Sequence, residues 1–78
     1  MVELTKEEFQ ILWLVEEGNG IPEGIVSFLE FSVEDVKHTL LFLKKYGLIH
    51  LETEGEFWTA KTTKKAQDMY AQYEHWIP

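Results

Sequence analysis

The chain has 78 residues, 45% hydrophobic and 14% aromatic, with no cysteine and a formal charge of −7. That length supports one domain spanning 1–78, the apolar content excludes a disordered chain, and the lack of cysteine excludes disulfides and thiolate metal sites. The longest apolar run, Ile11–Val15, is far too short for a membrane span, and Glu3, Lys6, Glu7 and Glu8 do not make a secretion signal, so a cytoplasmic protein is expected.

Thr5, followed three residues later by Glu8, makes a capping box, and the first helix is expected to run to about Glu17, where Gly18-Asn19-Gly20 stops it. Leu12 and Val15 suggest one buried stripe, yet Phe9, Ile11, Trp13 and Leu14 leave this helix apolar on nearly every side. A surface helix needs only one apolar face, so a second surface must cover this one. Pro22 suits the first turn of a short second helix with Ile25 and Leu29, at i and i+4, facing inward. Ser32 caps a third helix, with Asp35 at the capping-box distance and Val36, Leu40 and Leu43 as its inner stripe. Lys44 and Lys45 complement the negative end of the helix dipole before Gly47 ends it.

After Gly47 the period changes to two. Leu48–Thr53 and Glu56–Ala60 read as strands around the turn Glu54-Gly55, which sets Thr53 opposite Glu56, Leu51 opposite Trp58 and Ile49 opposite Ala60. Ile49, Leu51, Trp58 and Ala60 then share one face, and Phe57 faces away from them. Thr62 or Thr63 caps a last helix, in which Ala66, Met69, Tyr70, Tyr73, Trp76 and Ile77 recur at three- and four-residue spacings. The expected fold is mostly α with a small β-hairpin: a three-helix core, a two-stranded wing and a C-terminal helix.

The run from Ser32 through Val36, Leu40 and Leu43 to Gly47-Leu48-Ile49 resembles the winged helix-turn-helix superfamily, the MarR-like and ArsR-like regulators in particular. Those families show a capping serine, a valine, two leucines at this spacing and Gly-Leu-Ile entering the wing. Glu8-Phe9-Gln10-Ile11-Leu12 upstream and Thr63-Lys64-Lys65-Ala66 downstream, where these families often have Thr-x-x-Gly, extend the resemblance over nearly the whole chain. Two positions depart from the pattern: Val26 stands where the turn usually has alanine, and Glu30 where it often has glycine. A left-handed Glu30 would cost roughly 1 kcal/mol. The resemblance implies a DNA-binding regulator whose third helix enters the major groove by its N-terminal residues, with the wing near the backbone or minor groove. It also implies a homodimer built through the terminal helices, with Trp13, Tyr70 and Trp76 at the interface.

Charge on those elements points the other way. Residues 1–36 hold nine acids against Lys6 alone, a net −8, and residues 37–78 hold six lysines against five acids, a net +1; the chain has no arginine. Non-specific DNA affinity comes mostly from lysine and arginine displacing counterions, and arginine makes the commonest guanine contact. The third helix leads with Glu34 and Asp35, the wing reads Glu52-Thr53-Glu54-Gly55-Glu56, and the candidate DNA-contacting residues are Lys37, His38, Lys61, Lys64 and Lys65. Leu41, Phe42 and Phe57, with Trp13 and the Tyr70-Tyr73-Trp76 edge, are candidate apolar surface beyond what a 78-residue monomer covers.

Two functions follow: a small winged-helix transcriptional regulator with duplex DNA as partner, or an acidic winged-helix module that binds a protein and not DNA. An enzyme is not expected. His38, His50 and His75 lack metal-ligand spacing, with His50 on the outer hairpin face, and Gly18-Asn19-Gly20 is no phosphate loop, so neither metal nor cofactor is expected.

Overall fold

In α1, Lys6–Glu16, the Thr5 hydroxyl accepts the Glu8 amide at 3.2 Å while the Glu8 carboxylate accepts the Thr5 amide at 2.9 Å, completing the capping box. α3, Val33–Lys45, opens on Ser32, whose hydroxyl accepts the Asp35 amide at 3.1 Å. Both helices end in the same paired motif: Asn19 donates to the Leu14 carbonyl and Gly18 to Val15, while Leu48 donates to Leu43 and Gly47 to Lys44. The computed structural model describes residues 3–77.

The second helix is shorter than its apolar spacing predicts. α2 covers only Pro22–Val26, because Ser27 and Phe28 donate to carbonyls three residues back and the Ser27 hydroxyl takes up the Gly24 carbonyl at 2.6 Å. Leu29 still packs on the core, from beyond the helix end. Glu30 does not adopt a left-handed backbone, since among the described residues only glycines have positive φ, so the predicted strain is not incurred.

β1, Ile49–Glu54, pairs antiparallel with β2, Phe57–Thr62. The register differs from the predicted one: Thr53 lies opposite Trp58, Leu51 opposite Ala60 and Ile49 opposite Thr62, so the two-residue turn is Gly55-Glu56. The cause is the first turn position, which needs positive φ in either tight hairpin turn. Gly55 has φ +63°, whereas the predicted turn would force that conformation on Glu54. The slip is by two residues on the partner strand, so the side-chain faces are unchanged. Ile49 and Ala60 are buried, Leu51 and Trp58 half-buried, and Phe57 points outward.

The core joins Phe9, Ile11, Leu12, Leu14 and Val15 of α1 to Ile25, to Val36, Leu40 and Leu43 of α3, and to Leu48, Ile49, Ala60, Ala66 and Met69. The surface that covers α1 on its second side comes from the chain's own C-terminus. Thr63, not Thr62, caps α4, Lys64–Gln67; Thr62 ends β2 and donates its hydroxyl to Glu16. The predicted continuous last helix does not form. It breaks after one turn, and Tyr70–Trp76 continues as a 3₁₀ segment kinked at Tyr73. That break lets Tyr70, Tyr73 and Trp76 gather on Phe9, with ring centroids at 5.9, 5.3 and 6.4 Å, and Phe9 has no exposure left. Leu4 donates its amide to the Tyr73 hydroxyl at 3.1 Å, and Gln10 donates to the Trp76 carbonyl at 3.2 Å, tying the segment to both ends of this face.

Candidate nucleic-acid interface

With Val36, Leu40 and Leu43 fully buried, α3 turns Glu34, His38, Leu41 and Lys45 outward at i, i+4, i+7 and i+11. All four are exposed, Leu41 by 48% in the middle of the stripe. This is the face a winged helix offers to a major groove. It begins on a carboxylate, passes a histidine and a leucine, and ends on a lysine.

The five predicted DNA-contacting residues do not behave alike. Lys37 is turned inward to the hairpin: its ammonium lies 5.0 Å from the centre of the Trp58 ring and donates to the Glu56 carbonyl at 3.5 Å. It fixes the wing tip over the first turns of α3. Lys65 is also engaged, donating to the Tyr46 carbonyl at 2.7 Å at the C-terminal end of α3. His38, Lys61 and Lys64 are exposed.

The Lys65 contact reveals a grouping that spacing alone does not. The Thr63 hydroxyl donates to the Gly47 carbonyl at 2.7 Å and the Thr63 amide to Leu48 at 3.1 Å, so the start of α4 sits on the end of α3. Lys44 and Lys45, assigned from sequence only to the helix dipole, thereby join Lys61, Lys64 and Lys65 at one corner, with His50 opposite Lys61 in the hairpin. The Lys45 ammonium lies 5.9 Å from the centre of the Tyr46 ring. The signal in the sequence was the Lys44-Lys45 pair before Gly47; what hid its meaning was a contact 16 residues long in sequence. At the opposite end, Glu34 and Asp35 of α3 and Glu52, Glu54 and Glu56 of the wing are all exposed.

The predicted apolar surface is divided. Leu41 lies on the outer stripe of α3. Phe42 is half-buried, 4.9 Å from the Tyr46 ring, and lines a groove of about 870 Å³ with Lys65, Asp68, Met69 and Gln72. Phe57, 58% exposed, lies on the outer wing with Glu52, Glu54 and Thr59. Tyr70, Tyr73 and Trp76 are half-buried against Phe9 of the same chain. Trp13 faces a smaller groove, about 450 Å³, with Leu14, Leu29 and Phe28. Phe28, exposed by 62%, went unnoticed in the sequence because it follows the point where the helical period fails.

Among the described residues no three His, Asp or Glu side chains come close enough to share a metal ion, and no helix is long and apolar enough to cross a membrane.

No family model and no curated protein matches this sequence. Solved structures do match its fold. The structure of Streptococcus pneumoniae FabT in complex with DNA is similar with a TM-score of 0.77 and 14% identity, over 94% of this chain and 54% of that one. The transcriptional regulator SlyA gives 0.76 and 20%, over 95% of this chain and 58% of that one, so the chain spans little more than half of either protein. AF1382 from Archaeoglobus fulgidus gives 0.76 and 18%, over 92% of this chain and 85% of that one. This chain therefore has the winged helix-turn-helix fold, as its Ser32–Ile49 run implies.

Proposed function

We propose that this chain is a transcriptional regulator that binds duplex DNA, acting as one winged-helix domain over 1–78. The observation that carries the reading is the match, over 94% of the chain, to a protein solved in complex with DNA. The outward His38 and Lys45 on α3 support it, since that stripe is the one this fold inserts into a groove. Titration of a mixed-sequence duplex at about 50 and 200 mM salt tests it: a DNA binder loses affinity steeply across that range. No binding at the lower salt overturns it.

A second reading, a protein-interaction module, is favoured by one specific observation. Five exposed carboxylates, Glu34, Asp35, Glu52, Glu54 and Glu56, sit on the two elements a DNA reader uses, beside exposed Leu41 and Phe57. In that case the wild type ignores DNA, and Leu41→Glu with Phe57→Lys abolishes an association visible by light scattering. An oligomer unchanged by those substitutions overturns the second reading.

A further inference from the structure

α3 and the hairpin together form a rod with opposite charge at its two ends. Thirteen residues of helix span about 20 Å. The hairpin leaves the C-terminal end of α3 at Gly47 and runs back, so that its tip lies beside the N-terminal turns. The Lys37 contacts to Glu56 and Trp58 fix that direction. Glu34, Asp35, Glu54 and Glu56 therefore gather at one pole. Lys44, Lys45, Lys61, Lys64 and Lys65 gather at the other, where the start of α4 docks on Gly47. Two carboxylates border the basic pole, Glu3 and Asp68, which share a groove with Lys65 and Tyr46.

Resting on the DNA-binding reading above, we infer that the phosphate backbone of the duplex docks on this lysine pole. The C-terminal half of α3 faces the duplex, and the N-terminal turn and the wing tip stay clear of it. The orientation usual for this fold would press five carboxylates against phosphates. The one inferred here places lysines on the phosphates and turns the Leu41–Lys45 part of the outer stripe to the duplex. Measured along α3 from Lys45, it leaves Glu34 roughly 16 Å away by the helix rise, beyond the Debye length of about 10 Å at 0.1 M salt. Counterion release is then supplied by Lys44, Lys45, Lys61 and Lys64; among the described residues Lys45 has its contact with the Tyr46 ring, whereas Lys37 and Lys65 also donate hydrogen bonds that binding would have to break.

The experiment is a salt-dependent duplex titration with three proteins: the wild type, Lys44→Gln/Lys45→Gln/Lys64→Gln, and Glu54→Gln/Glu56→Gln. Circular dichroism and urea midpoints establish that each variant is folded. The lysine variant is expected to lose at least tenfold in affinity at low salt, with the log–log salt slope falling by about 2.7, roughly 0.9 for each lost contact. The wing variant is expected to change affinity by less than about threefold at 0.1 M salt, because its charges lie beyond the screening distance. An unchanged slope in the lysine variant, or a large gain of affinity and slope in the wing variant, overturns the inference and leaves the DNA-binding reading standing. No binding by the wild type at low salt overturns both.

Discussion

At Gly20 the chain has no room for a side chain. A Cβ built there would meet the Ala60 carbonyl oxygen at 2.1 Å, and the Gly20 carbonyl itself accepts the Ala60 amide at 2.8 Å. The obstacle is backbone held by the hairpin, so the clash can be relieved only by pulling the wing from α1. Gly20→Ala is expected to destabilise the fold by about 2–3 kcal/mol, at the upper end of overpacking costs, read as a lower urea midpoint. Tyr70 presents the opposite situation. Its hydroxyl is buried without a hydrogen-bond partner in good geometry, near the Thr62 hydroxyl that donates to Glu16. Burial, then the Glu16 and Glu17 carboxylates, push its ionisation above the usual tyrosine range, and Thr62 offsets only part of that. The folded form thus holds its proton to higher pH than the unfolded form, so stability is unaffected below about pH 10 and falls as pH rises beyond it. Tyr70→Phe removes an unsatisfied group, and is expected to be neutral or stabilising by up to about 1 kcal/mol at pH 7. It is also expected to abolish the latest-titrating tyrosinate absorbance. A loss of more than about 1 kcal/mol would show that the hydroxyl has a partner after all.

Among the elements, the C-terminal 3₁₀ segment has the clearest structural task. Tyr73 and Trp76 stack at 5.1 Å and 19°, and both cover Phe9, so their contributions are shared. Each single alanine variant is expected to lose about 2 kcal/mol, with a coupling of at least 0.5 kcal/mol in the double-mutant cycle, as for neighbours in one aromatic cluster. Additive losses would mean that the two rings act independently on Phe9. This segment also shows where the sequence was readable and where it was not. The caps at Thr5 and Ser32 and the Val36-Leu40-Leu43 stripe were legible because each rests on residues within one or two helical turns. The excess apolar surface of α1 was equally visible as a demand for cover. What supplied the cover was not, because the three- and four-residue spacing of Tyr70, Tyr73 and Trp76 suits a continuous helix as well as a kinked one. The hairpin register failed for a local reason, the φ at Gly55, yet the shift by two kept its inner face correct. The lysine pole escaped notice because it depends on Thr63 reaching Gly47.

On the scale of the molecule, the net charge of −7 sits in a body of 33 × 24 × 19 Å. At about 0.01 M salt the Debye length is roughly 30 Å, so every carboxylate interacts with every other; at 0.15 M it is about 8 Å, and only neighbours do. The acidic pole suffers most, because folding brings Glu34 and Asp35 beside a wing tip that carries Glu54 and Glu56. Lys37 lies beside this pole, on Trp58 and the Glu56 carbonyl, and offsets part of its charge, whereas Lys65 is held at the far end. Salt should therefore stabilise the folded chain while weakening the DNA binding proposed above, two responses of opposite sign from one charge distribution. The expected gain between 0.01 and 0.15 M sodium chloride is on the order of 1 kcal/mol, a few screened carboxylate pairs' worth at surface dielectric, read as a rise in the thermal midpoint. Glu54→Gln/Glu56→Gln should raise the midpoint at low salt and shrink the salt response, because it removes the charges that folding crowds together. Lys44→Gln/Lys45→Gln should do the reverse, lowering the low-salt midpoint and enlarging the response, since it makes the molecule more negative and strips the cations from the end of the α3 dipole. Equal salt responses in all three proteins would mean that the poles do not interact with the fold at all, and that the charge separation matters only when a partner arrives.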